Sequence, residues 1–362
     1  MRVLMLSRST PYLPTHEHAR RAPAHLLEQL SGRHAFALVA PAARAETPAQ
    51  RAWAADRVQR FTQPTAGPWR PSLTGASGDG LGAMRAAALR TVREWAPDVV
   101  HLEGAALAPL AAMLPAPAVV AGRAAGMPPR GRRGAAAWVV TSEHERRVLA
   151  EHVPFGRIDV IPPGLDEIRY EFRRTGESAR LIFAGNLAWP AHLDAARRLA
   201  RRVLPRVRRT LPRAELLLVG GGTASELRML AALPGVRVAG AVTDLRPSLW
   251  SAAVTVVPAE AGPGVDAALL ESMALGTPVV AAHRALAGLT HLLPGHHALV
   301  AGTDSELVDA VLLILREPVV AATLAANART VIERQYTWSA IARCYESLWA
   351  RTADGGTTAV AA

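Results

Sequence analysis

Two doubly wound α/β domains in tandem are what this sequence predicts, and three observations carry that prediction. Short apolar runs alternate with helical patterns along nearly the whole chain. Most of those runs are continuous rather than alternating, which marks strands covered on both faces and therefore parallel sheets built from βα units. The scheme breaks near residues 162–175, where PPGLDEIRYEFRRT loses its periodicity. With 362 residues, each half is long enough to bury a core of its own.

Taken in order, the first strand is predicted at 3–6; MRVLMLS is too short for a secretory leader. Further strands of the first half follow at 36–39, 99–102, 118–120, 138–140 and 158–161. A loop rich in Pro, Gly, Ser and Thr spans 63–82, and a Gly/Arg-rich break covers 123–133. The stretch 104–122 is uncharged, but its three prolines make a poor membrane span; it reads as a core helix followed by a strand. Strands of the second half are predicted at 181–183, 216–219, 236–238, 254–257, 279–281 and 298–300, with helices at 304–316 and 318–335. Thr337 reads as the N-cap of a terminal helix carrying Trp338, Ile341, Tyr345 and Leu348 at helical spacing. This gives domains at 1–165 and 166–336, a helix at 337–351 and a frayed tail at 352–362.

Charge is 41 basic against 30 acidic residues, net +11, and every basic residue other than histidine is arginine, since the chain has no lysine. Most of these arginines are scattered along helical faces, as compositional bias would leave them; 130–133, 197–202 and 206–209 are clusters. The chain lacks interleaved aromatics and any reader motif, so no specific nucleic-acid partner is expected. The single Cys344 excludes an intramolecular disulfide and fits a reducing compartment; it reads as a small buried residue of the last helix. A cytoplasmic protein follows as the expectation, with peripheral contact at the inner membrane face left open.

The stretch PAEAGPGVDAALLESMALGTPVV, residues 258–280, organises the chemistry. A buried strand feeds a loop holding Gly262 and Gly264, a helix follows over 267–275, and Gly276 and Pro278 end it. Strand, glycine loop and helix start aim the N–H groups of Gly264, Val265 and Asp266 at an anion. Asp266 is also a ready N-cap. Glu271 lies on the helix face of Ala267 and Ala268, where a carboxylate accepts hydrogen bonds from a ribose.

Other candidates lie at strand ends. Gly185 and Asn186 close the first strand of the second half, where open sheets bind ligands. Gly220-Gly221-Gly222 precedes a capping box of Thr223 and Glu226; it faces phosphate or is simply a tight turn. Asp244 contacts base or ribose, or caps the next helix. In the first half, DVVHLEG puts His101 and Glu103 at a strand's carboxyl end, where the histidine is a ligand contact or a satisfied structural residue. His16, Glu17 and His18 have neither helical nor hairpin zinc spacing, and no metal site is expected.

The segments LIFAGNLAWP, LLLVGGG, GVRVAGAVTDLRPSL and AGPGVDAALLESMALGTPVV, with the closing RQYTW, resemble in order and spacing the retaining glycosyltransferases of family 4. The resemblance covers nearly the whole chain and implies the GT-B architecture, two tandem Rossmann-like domains with the C-terminal helix crossing back to the first. It implies transfer of a hexose from a nucleotide-diphosphate sugar to a hydroxyl acceptor with retention, without metal or other cofactor, in polysaccharide or glycolipid assembly. It implies Glu271 on the ribose, the Gly262–Asp266 loop, Gly185, Asn186, Gly222 and Asp244 around the donor, and His101 or Glu103 on the transferred sugar. It sets Asp266 and Ala268 where the family holds the diphosphate with Arg and Lys. It sets His16, Glu17, His18 and Ala19 where the family's first loop has glycines. The competing reading is a catalytically silent GT-B scaffold that binds or regulates a partner.

Overall fold

A computed structural model describes the chain apart from residues 15–17, 43–44, 66–78, 123–133, 142, 154–155, 167–168, 174–177, 259–266, 287–288, 290 and 360–362. It divides into two compact units, Met1–Gly164 with Trp338–Ala362, and Leu165–Thr337.

In the first unit, β1 (Arg2–Ser7), α1 (His18–Leu30), β2 (Ala35–Val39), α2 (Pro48–Ala55), β3 (Arg60–Thr62) and α3 (Asp79–Trp95) come first. Then follow β4 (Val99–Glu103), a 3₁₀ helix (Ala105–Met113), β5 (Ala118–Ala121), β6 (Ala137–Val140), α4 (Glu143–Ala150) and β7 (Ile158–Val160). The strands form one parallel sheet in the order β3-β2-β1-β4-β5-β6-β7.

In the second unit, β8 (Arg180–Ala184) leads into α5 (Pro190–Arg198), a π-helical turn (Leu199–Val203) and α6 (Leu204–Thr210). Next come β9 (Glu215–Val219), α7 (Ala224–Ala231), β10 (Val236–Gly240), α8 (Arg246–Trp250), β11 (Val254–Val257) and α9 (Ala267–Leu275). The unit ends with β12 (Val279–Ala281), α10 (His283–Leu286), β13 (Leu299–Val300), α11 (Asp304–Arg316) and α12 (Pro318–Gln335). Its parallel sheet runs β10-β9-β8-β11-β12-β13. The last helix, α13 (Trp338–Ala359), belongs to the first unit, so the chain returns to its starting domain.

Both sheets are covered on both faces, which is why their strands read as unbroken apolar runs. Strand side chains alternate between faces with period 2. On one face of the first sheet, Val3, Met5, Val99 and Val119 meet Leu26 and Leu30 of α1 and Ile341, Leu348 and Trp349 of α13. On the other, Leu4, Leu6, Val100 and Leu102 meet Met84 and Ala88 of α3 and Leu107 and Leu110 of the 3₁₀ helix. The second sheet repeats the scheme. Leu181, Phe183 and Val256 pack on Leu199, Val203 and Leu307, while Ile182, Val257 and Ala281 pack on Leu270, Met273 and Ile332.

The helix expected within 104–122 is a 3₁₀ helix over Ala105–Met113, with Pro109 inside, whose missing N–H weakens an i→i−4 ladder. Three local expectations are corrected. The edge strand β3 is not among the predicted strands, because its three residues are only partly buried and lack an apolar run. The terminal helix does not stop at 351: it continues to Ala359, with Thr352 buried and its Oγ1 donating to the Leu348 carbonyl. Cys344 is exposed, not buried, because it lies on the outer face of α13.

Candidate functional site

Each sheet order reverses once, and open α/β sheets bind ligands at the carboxyl ends of the strands flanking that reversal. In the second unit the reversal lies between β8 and β11, so its edge is built by the loops after Ala184 and Val257. Gly185 and Asn186 stand there, with Asn186 Oδ1 accepting from the Ala188 N–H at 3.1 Å to turn the chain into α5. The neighbouring loop after β9 approaches closely. Gly220 has φ 146°, and a Cβ on it would overlap the Gly185 carbonyl oxygen, so only glycine fits. A Cβ on Gly222 would stand 3.1 Å from Leu187 Cβ. Packing alone therefore accounts for Gly220, whereas at Gly222 a Cβ would crowd Leu187 without being excluded. Thr223 caps α7, accepting from the Glu226 N–H at 3.4 Å and donating to the Glu226 carboxylate at 2.6 Å, without the return bond that completes a capping box.

Helix α9 spans the residues its sequence predicts and ends in a Schellman motif. The Gly276 N–H donates to the Met273 carbonyl at 3.4 Å and the Thr277 N–H to that of Ser272 at 2.9 Å, with Gly276 at φ 90°. Inside, Ser272 Oγ donates to the Ala268 carbonyl and accepts from Thr255 Oγ1 at 2.7 Å, fixing the helix to β11. Glu271, half-buried on α9, is reached by Tyr170, whose hydroxyl donates to Oε1 at 2.9 Å. Ala268 is buried in the first turn of α9, so that position presents no cation.

Asp244, after β10, is engaged by Arg246, which donates from its backbone N–H at 3.0 Å and from its guanidinium at 2.8–3.1 Å. Its side chain thus closes a turn ahead of α8 rather than capping it, since the N-cap position is Leu245 and carries no side-chain cap bond. Arg246 is held protonated above its ordinary range, first by the Asp244 hydrogen bond, with smaller contributions from Tyr170 and Glu271. The second unit thereby places a cation within electrostatic reach of Glu271.

The root of the loop carrying Gly262, Gly264, Val265 and Asp266 is clamped from below. Arg198 donates to the Pro258 carbonyl at 2.6 Å, to the Gly302 carbonyl at 2.9 Å and to Asp304 Oδ1 at 2.7 Å. Arg202 meets the other Asp304 oxygen at 2.5 Å. Burial pushes the Asp304 carboxyl up, but the two guanidinium groups together outweigh it and hold its pKa below the ordinary value. The loop residues 262 and 264–266 themselves lie outside the described residues, as do His16, Glu17 and the arginines at 123 and 130–133.

In the first unit the order reverses between β1 and β4, and Glu103, the last residue of β4, pairs in register with Ser7. His101 lies two residues earlier on the same face, fully buried beneath α13. Its Nε2 bonds Glu103 Oε2 at 3.0 Å and its Nδ1 accepts from Trp349 Nε1 at 3.4 Å. Tyr345 and Trp349 both stand edge-on to its ring. His101 therefore has no surface to offer a substrate, whereas the Glu103 side chain is 16% exposed.

Sequence reading missed Tyr170, Arg246, Arg198 and Trp349. Trp349 left a trace as the residue four after Tyr345 on a visibly amphipathic helix, and Arg198 lies in the 197–202 cluster without a signal of what it binds. Among the described residues no group of three or more His, Cys, Asp or Glu is placed to hold a metal ion, and no helix is long and apolar enough to cross a membrane.

Comparison with known proteins follows the same division. Residues 178–317 match the family described as glycosyl transferases group 1. A phosphatidyl-myo-inositol mannosyltransferase of Mycobacterium leprae (strain TN) is 34% identical over 161 residues, which is 40% of this chain and 41% of that protein. The chain thus matches well under half the length of that curated relative. Among solved structures, sucrose-phosphate synthase from Thermosynechococcus elongatus is similar with a TM-score of 0.69 at 17% identity, over 97% of this chain and 98% of that one. Anabaena HepE in complex with UDP and glucose is similar with a TM-score of 0.67 at 15% identity, over 97% and 100%. The chain has the two-sheet GT-B fold, and the part of it that matches the glycosyl transferases group 1 family, residues 178–317, lies within the second unit.

Proposed function

We propose that this protein transfers a hexose from a nucleotide-diphosphate sugar to a hydroxyl acceptor, with retention of configuration. The observation that carries the reading is the Glu271 carboxylate, oriented by Tyr170 on α9 inside a glycosyl transferases group 1 domain. A carboxylate held there accepts from both hydroxyls of a ribose, which no phosphate-only site requires. The diphosphate sits at the N-terminus of α9, where the helix dipole favours an anion, with Gly185 and Asn186 at the same switch point. The solved HepE structure with UDP and glucose supports a nucleotide-sugar donor. The phosphatidyl-myo-inositol mannosyltransferase relative supports a hexose and a lipid acceptor.

In the first unit, Glu103 faces the transferred sugar and accepts from its hydroxyls. The developing charge on the departing phosphate is stabilised by main-chain dipoles at the N-terminus of α9, so no metal enters. The test is an NMR time course of UDP-, GDP- and ADP-hexoses with glycoside and polyprenyl-phosphate acceptors, with and without EDTA. The reading expects an α-configured product from an α-configured donor, at a rate unchanged by EDTA. An inverted product, or a rate abolished by EDTA, would overturn it.

A further inference from the structure

We propose that Trp349, His101 and Glu103 form a positioning relay through which the C-terminal helix sets the carboxylate at the switch point of the first sheet. The inference rests on the reading of Glu103 as the group that faces the transferred sugar.

Hydrogen-bond chemistry fixes the direction of the chain. An indole N–H only donates, so the His101 Nδ1 that receives it at 3.4 Å carries no proton. A neutral imidazole then bears its proton on Nε2, and that N–H points at Glu103 Oε2, 3.0 Å away. A doubly protonated His101 would present an N–H to the Trp349 N–H and break the first link. Donation thus runs one way, from the helix through the ring to the carboxylate. His101 is 0% exposed, so no bulk water competes for either nitrogen. The rings of Tyr345 and Trp349, 5.5 and 5.6 Å away by centroid, bar it from tilting.

Simple core packing does not account for this arrangement. A buried imidazole costs stability unless both nitrogens are satisfied, and an apolar side chain would fill the same space at no such cost. The far end of the chain surfaces at the β1/β4 reversal, where Glu103 is followed by Gly104 at φ 105°. There an orientated carboxylate serves ligand binding and adds nothing to the core. His101 is a positioning residue: it acts on substrate through Glu103 and never touches it.

The test uses the full chain labelled with ¹⁵N-histidine. At pH 7.5 the long-range ¹H–¹⁵N spectrum of the unsubstituted protein should show His101, assigned by its loss in His101→Gln, protonated on Nε2 alone. Trp349→Phe keeps the ring stack but removes the donor, and should turn that single pattern into a tautomer mixture. In turnover of whichever hexose donor the protein accepts, His101→Leu should lower kcat by up to about a hundredfold, the usual effect of a misplaced catalytic group, with donor KM unchanged. His101→Gln, whose amide still donates toward Glu103, should recover most of it. A proton on Nδ1 in the unsubstituted protein, or a Trp349→Phe spectrum identical to it, overturns the relay. Absence of turnover with every donor would overturn the transferase reading instead, and the tautomer spectra would still decide the relay.

Discussion

Tyr170 stands 101 residues before Glu271, yet its hydroxyl fixes one oxygen of the carboxylate that we propose binds the nucleotide. Hydrogen bonds to charged groups contribute about 1.5–3 kcal/mol, and about 1.4 kcal/mol is a factor of ten in affinity. Tyr170→Phe is therefore expected to weaken UDP or GDP binding about tenfold while leaving the melting temperature of the free protein within a few degrees. Isothermal titration checks the first and differential scanning fluorimetry the second; unchanged affinity would mean Glu271 needs no orientation. Glu271 itself was legible, because helix periodicity and a glycine stop fix its place on α9. Tyr170 was not, since it sits where the sequence loses its pattern. The HLE triplet shows the same divide. Its position at a strand's carboxyl end could be read directly, but which of its two polar side chains meets solvent is decided by Trp349, 248 residues downstream.

At the scale of elements, α5 and α11 hold the root of the donor loop through one guanidinium. Arg198→Ala removes hydrogen bonds to Pro258, Gly302 and the buried Asp304 together. Breaking a buried pair costs about 3–5 kcal/mol. The expectation here is about 2–3 kcal/mol in urea unfolding, because Arg202 still neutralises Asp304. A change below about 0.5 kcal/mol, the size of an ordinary surface substitution, would contradict the clamp.

The same cluster sets an acid limb. The folded-state pKa of Asp304 lies below its ordinary 3.8, so its contribution is complete above that value and is lost as pH falls through the depressed one. Stability measured from pH 6 down to pH 2 should fall less steeply below about pH 4 in Asp304→Asn than in the unsubstituted protein. An identical acid limb in both would remove Asp304 from the account. Gly276→Ala should cost about 1–2 kcal/mol from the left-handed backbone alone, and more because the new Cβ would stand 2.5 Å from the Arg173 carbonyl. Gly276 was legible as a helix stop, whereas the 197–202 arginine cluster was visible but the Arg198 clamp was not, since its partners lie 60–106 residues away at 258, 302 and 304.

For the whole molecule, unbroken apolar strands implied sheets covered on both faces, and parallel order followed from the intervening helices. That much is physics written into composition and period. The direction of each crossover, and hence the place where each sheet reverses, depends on tertiary packing and emerged only in the folded chain. The reversals, between β1 and β4 and between β8 and β11, single out Glu103 and the Gly185–Asn186 turn from many equally polar strand ends.

The central claim is that Glu271 holds a nucleotide. Titrating UDP, GDP and ADP into the unsubstituted protein and into Glu271→Ala, followed by thermal unfolding, tests it directly. One of the three should stabilise the unsubstituted protein by about 2.7 kcal/mol at a hundredfold excess over its dissociation constant. Glu271→Ala should lose that shift while keeping its own melting temperature. Equal stabilisation of both proteins, or none of either by any of the three, would contradict the account.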